Sequence, residues 1–268
     1  MRRVIDILAM LTVLAVLDSC KKDIEIDYHQ IEPIYVVEAF VTDGHMEARI
    51  TQTNDMDDNQ TTSGIGQAII TVTGSDGSSA ILDYEGNGYY KNYKAKGTPG
   101  VEYNIDILLN KQHYTSTSIM QKRPTLNKFR FIWKKVLKDR YLMGELLFQD
   151  IPNQDNWYFM HIYRNDAGYR WAVKRDDVDP NKELQQLFSF DKEDSDDEDM
   201  LREGDRLHIE LRAIDQRAYD YLYSMKMMDN TGTNPIQNFT GGCLGYFSAY
   251  SQISYDCVYH EADVEEED

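Results

Sequence analysis

The chain has 268 residues, and its 46 acidic side chains outnumber the 28 basic ones, for a formal net charge of −18 at pH 7. Nucleic acids and anionic lipid surfaces repel so acidic a protein, so the overall charge argues against nucleic-acid binding. The length is enough for one large all-β domain or for two smaller domains with cores of their own.

The first twenty residues have the layout of a bacterial lipoprotein signal. Two arginines precede a mostly apolar stretch over 4–17, and the sequence Leu-Asp-Ser-Cys places Cys20 where cleavage is expected. Processing attaches lipid to the Cys20 thiol and makes this residue the new N-terminus. An uncleaved transmembrane anchor is the alternative, but these 14 residues include Asp6 and are shorter than the about 20 apolar residues that span a bilayer.

Cleavage after residue 19 leaves a short polar tether. The charged run Lys-Lys-Asp-Ile-Glu at 21–25 resembles the stretch that directs Bacteroidota lipoproteins to the cell surface. The alternative is a solvated tether on a protein that faces the periplasm. We therefore predict a signal peptide over 1–19, a tether over 20–32, and a surface-exposed protein that the acyl chains on Cys20 anchor to the outer membrane.

Short strand-like segments separated by turn signals follow the tether. The predicted strands lie at 35–41, 48–52, 68–73, 80–84, 89–93 and 102–108. Turn signals such as Asp43-Gly44 and Asp76-Gly77 separate them at regular intervals. Because this punctuation is typical of a β-sandwich, residues 33–123 predict an immunoglobulin-like β-sandwich domain.

A second set of strand-like segments begins after Pro124, which ends the first block. Its members lie at 129–133, 141–148, 157–164, 169–173 and 206–212. They predict a second antiparallel β domain over 124–260, followed by an acidic tail over 261–268. The fold class predicted for the whole chain is therefore all-β.

One helix is predicted inside the second domain, near residues 215–229. Asp215 is a suitable N-cap, because its carboxylate can accept hydrogen bonds from the first free backbone N–H groups. Ala218, Leu222 and Met225 follow at i, i+4 and i+7 and therefore lie on one face. We expect this face to pack against the core.

Much of the negative charge lies in two runs, at 191–199 and 265–268, with a smaller cluster at 55–58. None of them carries the glycine-centred loop of an EF-hand, which arranges oxygen ligands around calcium. Runs of this kind are usually solvated loops or tails. The sequence therefore predicts no metal site and no cofactor, and it leaves cation binding by 191–199 open.

Two cysteines, Cys243 and Cys257, remain if Cys20 is lipidated. A leftover pair in an exported protein suggests a disulfide, with two free thiols as the alternative. Cys257 and His260 could begin a zinc site, but the chain offers too few further ligands for the tetrahedral set that zinc takes.

The order of these motifs resembles a family of Bacteroidota lipoproteins known as domain of unknown function 4249. The resemblance lies in the opening strand at 35–44, the glycine–proline turn at 97–103, the helix at 218–222 and the segment Gly-Gly-Cys-Leu-Gly-Tyr-Phe-Ser-Ala-Tyr at 241–250. We expect this last segment to form a closing strand of the second domain. The resemblance implies an outer-membrane lipoprotein whose gene often lies beside that of a TonB-dependent transporter.

Catalytic spacings are absent from the sequence. No Gly-x-Ser-x-Gly elbow, His-Glu-x-x-His helix or phosphate-binding loop occurs, and His161 and His208 look like ordinary strand residues. A carboxylate pair of the glycosidase type stays open, because the fold sets its spacing. We predict a non-enzymatic accessory or substrate-binding partner of a TonB-dependent nutrient transporter. A stand-alone adhesive or structural surface protein is the alternative, followed by a surface hydrolase.

Overall fold

The computed structural model describes residues 33–53, 63–176, 182–192 and 200–267, which form one unit built almost entirely of strands. Cys20, the signal peptide and the tether lie outside these residues, as do the cluster at 55–58 and most of the acidic run at 191–199. Within the described ranges, no helix is long and apolar enough to cross a membrane.

Seven strands of the first half wrap around one hydrophobic core, the first core. They are β1 (Tyr35–Val41), β2 (Met46–Gln52), β3 (Ile69–Gly74), β4 (Ser79–Gly86), β5 (Tyr89–Asn92), β6 (Glu102–Leu109) and β7 (Gln112–Ile119). They are antiparallel in the order β1-β2-β5-β4-β3-β6-β7. Alternate side chains such as Ile50, Ile70 and Ile105 are fully buried there, as the two-residue period of a strand requires. The immunoglobulin-like β-sandwich is confirmed, and we call it the first sandwich.

The second half supplies nine strands and a helix. They are β8 (Thr125–Val136), β9 (Asp139–Gln149), β10 (Trp157–Arg164), β11 (Ala167–Arg175), β12 (Glu183–Lys192), β13 (Arg206–Ile214), α1 (Gln216–Thr231), β14 (Leu244–Ala249), β15 (Ser251–Val258) and β16 (Glu265–Glu267). Eight of these strands form two four-stranded sheets, in the orders β11-β10-β13-β15 and β12-β9-β8-β16. Their facing side chains enclose a separate second core, and this pair of sheets is the second sandwich.

The predicted helix is present and begins at its predicted cap. The carboxylate of Asp215 accepts a hydrogen bond from the backbone N–H of Ala218 at 2.9 Å, and Gly232 ends the helix. Ala218 and Leu222 are buried and Met225 is partly buried in a third hydrophobic cluster, the junction cluster, which lies where the two sandwiches meet. The helical face therefore packs as expected.

The segment at 241–250 does not close the second sandwich, contrary to the prediction. Its strand β14 pairs in parallel with β1 of the first sandwich, from Val36 opposite Leu244 to Val41 opposite Ala249. Gly245 permits this approach: its φ is 99°, and a Cβ there would lie 1.9 Å from the carbonyl oxygen of Val37. The first sandwich is therefore completed by a strand from outside residues 33–123.

The acidic tail is also partly ordered rather than a solvated end. Glu265–Glu267 form β16, which pairs in parallel with Ile132–Lys134 of β8. Basic side chains of the neighbouring strands meet the three glutamates: Lys134 contacts Glu267 at 2.9 Å and Arg140 contacts Glu266 at 2.7 Å. The charge run thus has a local counter-charge, which sequence patterning did not indicate.

The predicted disulfide does not form, because the two cysteines belong to different cores. Cys243 is buried in the first core beside β14, whereas Cys257 on β15 packs at the edge of the second core, and both thiols are free. Burial raises the pKa of Cys243 to about 12 and that of Cys257 to about 11. Both thiols therefore stay protonated at neutral pH and are poor nucleophiles.

Candidate functional site

The outer side of one sheet of the second sandwich carries charged and aromatic residues. Alternate residues of β10 and β13, such as Met160 and Ile209, fill the second core, so the residues between them face the opposite way. We define the polar-aromatic face by six side chains: His161, Tyr163, His208, Glu210, Arg212 and Tyr250. Strand pairing places His161 opposite Glu210 and Tyr163 opposite His208. Tyr250, between β14 and β15, joins the face through its contact with Arg212.

Arg212 is the central charge of this face. Its guanidinium contacts Glu210 at 2.5 Å and lies 4.7 Å from the ring centroid of Tyr250 and 5.3 Å from that of Phe159. Burial works against its charge, but Tyr250 and Glu210 outweigh burial and raise the pKa of Arg212. Its side chain is 11% exposed, and its Nε has no hydrogen-bond partner among the residues that the structure describes. Arg212 is therefore a fixed, largely buried cation, and its Nε is enclosed by the fold.

His161 and Tyr163 form a ring pair beside this cation. Their ring centroids are 4.0 Å apart with an interplanar angle of 36°. Burial, helped by the positive charge of Arg212, lowers the pKa of His161, so its imidazole is neutral at neutral pH. Burial raises the pKa of Tyr163, and the charge of Glu210 adds to this. The pair therefore presents ring surface and neutral hydrogen-bonding groups.

His208 differs from His161, because it lies between two carboxylates. Its Nδ1 is 2.6 Å from Oδ1 of Asp256, and its Nε2 is 3.4 Å from Oε1 of Glu210. Burial is the largest single influence and lowers the pKa of His208, but the two carboxylates together outweigh it and raise the pKa. The same face thus holds one histidine biased toward the neutral form and one biased toward the cation.

The polar-aromatic face borders the junction between the two sandwiches. Tyr250 belongs to the junction cluster, where its ring meets Phe40 of β1 at 5.8 Å. The charge of Glu47 on β2 contributes to the raised pKa of Tyr250, and Glu47 itself binds Lys91 at 2.9 Å. Small-molecule sites occur preferentially at such interfaces between packed units.

A pocket of about 360 Å³ adjoins the far end of the face, between His208, Asp256 and Cys257. Of the three cysteines named in the sequence analysis, only Cys257 lies near the face. Cys243 lies in the first core, and Cys20 lies outside the described residues. His260 is bound to Glu203 at 2.5 Å, and in the described part of the chain no three potential ligands converge on a metal position.

The sequence signal for this face was present but incomplete. Both strands alternate between apolar residues and aromatic or charged ones, so each strand by itself indicates an outward polar side. His161 and His208 share a face because β10 pairs with β13, which is not its neighbour in chain order. This long-range pairing cannot be read from spacing.

Comparison with known proteins identifies the family of the chain. Residues 21–256 match the model of a family described as "Domain of unknown function (DUF4249)". The chain belongs to this family. The DUF4249 match spans both sandwiches, including β14, and it confirms the resemblance found in the sequence motifs.

Other comparisons add little to the DUF4249 assignment. No curated protein matches the chain. Among solved structures, a two-domain fibronectin type III segment from chicken tenascin is similar over 85% of this chain and 100% of that chain. Its sequence identity is 10% and the TM-score is 0.25, so the strands themselves, rather than this similarity, define the fold.

Proposed function

We propose that this DUF4249 protein is a non-enzymatic lipoprotein of the outer membrane that binds substrate for, or otherwise assists, a TonB-dependent nutrient transporter. The observation that carries the proposal is the polar-aromatic face, which combines a buried cation, ring surfaces and hydrogen-bonding groups beside the junction of two sandwiches. The lipoprotein signal ending at Cys20 supports the location, and the family resemblance supports the transporter as partner.

The chemistry of the face favours binding over catalysis. Both oxygens of Glu210 have partners, since Oε2 meets Arg212 and Oε1 meets His208. The raised pKa of Tyr163 keeps its hydroxyl protonated, and a protonated hydroxyl is a weak nucleophile. Groups held this way orient a polar ligand, because the protein has already fixed their geometry before the ligand arrives.

Co-purification tests the proposal directly. Tagged full-length protein is extracted from native outer membranes in mild detergent, and mass spectrometry identifies what accompanies it. We expect a TonB-dependent barrel in stoichiometric amount. Recovery of the protein without any barrel would overturn the accessory role and favour a stand-alone surface protein. A Cys20→Ser variant checks the anchor, because loss of the acyl chains should release the protein from the membrane fraction.

A matched pair of variants tests the part played by the face. His161→Ala with Tyr163→Ala removes the ring pair, whereas Ile69→Ala with Ile81→Ala removes two exposed side chains of the first sandwich. We expect the first variant to lose transporter-dependent growth on the nutrient that the barrel imports, and the control to keep it. Equal growth of the two variants would show that the face is not the binding surface.

A further inference from the structure

A strongly basic segment runs through this acidic protein. Residues 122–140 contain eight lysines and arginines and a single acid, although the whole chain carries a net charge of −18. The segment forms β8, the turn after it and the start of β9. Glu265–Glu267 of β16 balance Lys128, Arg130, Lys134 and Arg140, whereas Lys135 and Lys138 beside the turn are exposed. Charges separated by more than about 8 Å are largely screened at physiological ionic strength, so a surface near the turn experiences these two lysines rather than the total charge.

The turn at the tip of this β8–β9 hairpin is apolar and strained. Val136 pairs directly with Asp139, which leaves Leu137 and Lys138 as a two-residue turn. Leu137 has a φ of 59°, a left-handed conformation that such turns usually assign to glycine, asparagine or aspartate. A leucine there costs about 1–2 kcal/mol relative to the ordinary right-handed region. The choice of residue is therefore not explained by the turn itself.

Leu137 is also unusual in how far its side chain is exposed to solvent. Leu137 is 93% exposed and its neighbour Val136 is 42% exposed. No other large apolar side chain among the described residues is so open to solvent. Positions where local rules are broken without a gain inside the fold are expected to be functional. An apolar environment outside the molecule would supply that gain.

Basic side chains surround the apolar tip and indicate what this environment is. Lys135 and Lys138 are exposed on either side of it. Further from the tip, Arg140 lies over the ring of Trp133 at 5.2 Å, and Lys134 contacts Glu267. Glu266 and Glu267 balance Arg140 and Lys134, so Lys135 and Lys138 supply the positive charge beside the tip. An apolar tip flanked by two exposed lysines matches a surface that is anionic outside and apolar beneath. A bilayer with phosphate-bearing headgroups has this layering.

We propose that the β8–β9 hairpin docks the protein onto an anionic lipid surface, with Val136 and Leu137 in the acyl boundary and Lys135 and Lys138 at the headgroup phosphates. This contact is independent of any transporter. Added to the acyl chains expected on Cys20, it would orient the second sandwich relative to the membrane.

A fluorescent probe at the tip tests the proposal on the full-length lipoprotein. An environment-sensitive dye is attached to Leu137→Cys, and the protein is reconstituted into vesicles of phosphatidylglycerol and phosphatidylethanolamine or of phosphatidylcholine alone. Ile81→Cys is the matched control, because Ile81 is an exposed apolar residue of the first sandwich. Protein without an added cysteine corrects for labelling of Cys257.

We expect a blue-shifted emission and quenching by lipid-attached quenchers at position 137 on the anionic vesicles, and neither at position 81. In the Lys135→Gln, Lys138→Gln variant the ratio of docked to undocked protein should fall about fivefold per lysine, whereas Lys94→Gln with Lys96→Gln should leave it unchanged. Water-like emission at position 137 on every vesicle would overturn the proposal. Equal docking on the two vesicle types, with no loss of docking in the Lys135→Gln, Lys138→Gln variant, would overturn it as well. Shielding of the tip only when other membrane proteins are present would overturn it in favour of a protein partner.

Discussion

The two sandwiches of this protein differ in how they are completed and in what they expose. The first is closed by a strand from far along the chain: Ser118 on β7 accepts a hydrogen bond from the backbone N–H of Ala249 at 2.8 Å. The second keeps its own strands together and carries the polar-aromatic face and the basic hairpin. The division into two sandwiches therefore does not follow chain order, because 241–250 completes the first sandwich but lies in sequence between α1 and β15.

The difference has a consequence for stability. The first sandwich depends on β14, and β14 is tied to β7 through Asn238, whose Oδ1 accepts from the N–H of Phe247 at 2.9 Å and from the hydroxyl of Ser116 at 2.8 Å. Contacts of such long sequence separation form late and slowly, because the intervening loop must close first. We expect the two sandwiches to unfold together rather than separately.

The largest expected effect tests the closure by β14. Gly245→Ala places a Cβ against the carbonyl oxygen of Val37 and also strains a φ of 99°, so we expect the free energy of unfolding to fall by about 4 kcal/mol or more. Urea denaturation, followed by circular dichroism and by tryptophan fluorescence, measures the change. The tryptophans Trp133, Trp157 and Trp171 all lie in the second sandwich.

Gly242→Ala is the matched control for this prediction. Gly242 also has a positive φ, 86°, but a Cβ there meets nothing within 4 Å. We expect the control to lose only the conformational cost, about 1–2 kcal/mol. Equal losses in the two variants would contradict the pairing of β14 with β1. Fluorescence that stays native while circular dichroism changes would show that the sandwiches unfold separately.

The second prediction addresses the connection between α1 and the first sandwich. Asp215 accepts a hydrogen bond from Ala218 as the cap of the helix and another from the N–H of Ile119 on β7 at 3.0 Å. Asp215→Ala removes both, so we expect a loss of about 2–3 kcal/mol in the free energy of unfolding. Asp215→Asn keeps one carbonyl oxygen for the cap and should lose about half as much.

The pH dependence of these variants separates the charge of Asp215 from its hydrogen bonds. Burial raises the pKa of Asp215 despite the donors around it, so the folded state holds the proton more tightly than the unfolded state. Stability contributed by this group is therefore present at low pH and declines as the pH rises through the folded pKa. Asp215→Asn should flatten this decline in urea titrations, and an unchanged slope would contradict a pKa of Asp215 that burial raises.

Hydrophobic alternation accounts for what could be predicted of this fold. Strands such as β1 and β10 have apolar inward positions, and the helix after Asp215 has both a cap and an apolar face. β7 was not predicted, because its inward positions include Ser116 and Ser118, which bind residues of a distant segment rather than fill the core. The same polar contacts explain why the partner of β14 could not be inferred.

The candidate site was harder to predict than the fold for a related reason. Residue types at His161, Glu210 and Arg212 are visible in the sequence, but their convergence depends on a strand order set by packing of the whole second sandwich. Glu265–Glu267 were interpreted from charge alone as a solvated tail. The counter-charges on β8 and β9 that hold them lie more than a hundred residues away along the chain.

The smallest expected effect distinguishes the two histidines of the polar-aromatic face. Asp256 and Glu210 raise the pKa of His208, so its protonation stabilises the folded state below the unfolded pKa near 6.5, and this stability is lost as the pH rises through the folded pKa. Burial and Arg212 lower the pKa of His161, so lowering the pH through the unfolded pKa costs stability at that position.

His208→Gln should therefore lose more stability at pH 5.5 than at pH 8. Both losses should stay within about 1 kcal/mol, because the side chain is 40% exposed and its ion pairs are screened. His161→Gln should show the opposite trend over the same range in urea titrations. If the stability loss of both variants changes with pH in the same direction, the assignment of a neutral His161 and a cationic His208 is wrong. The face would then offer a ligand two imidazoles in the same protonation state.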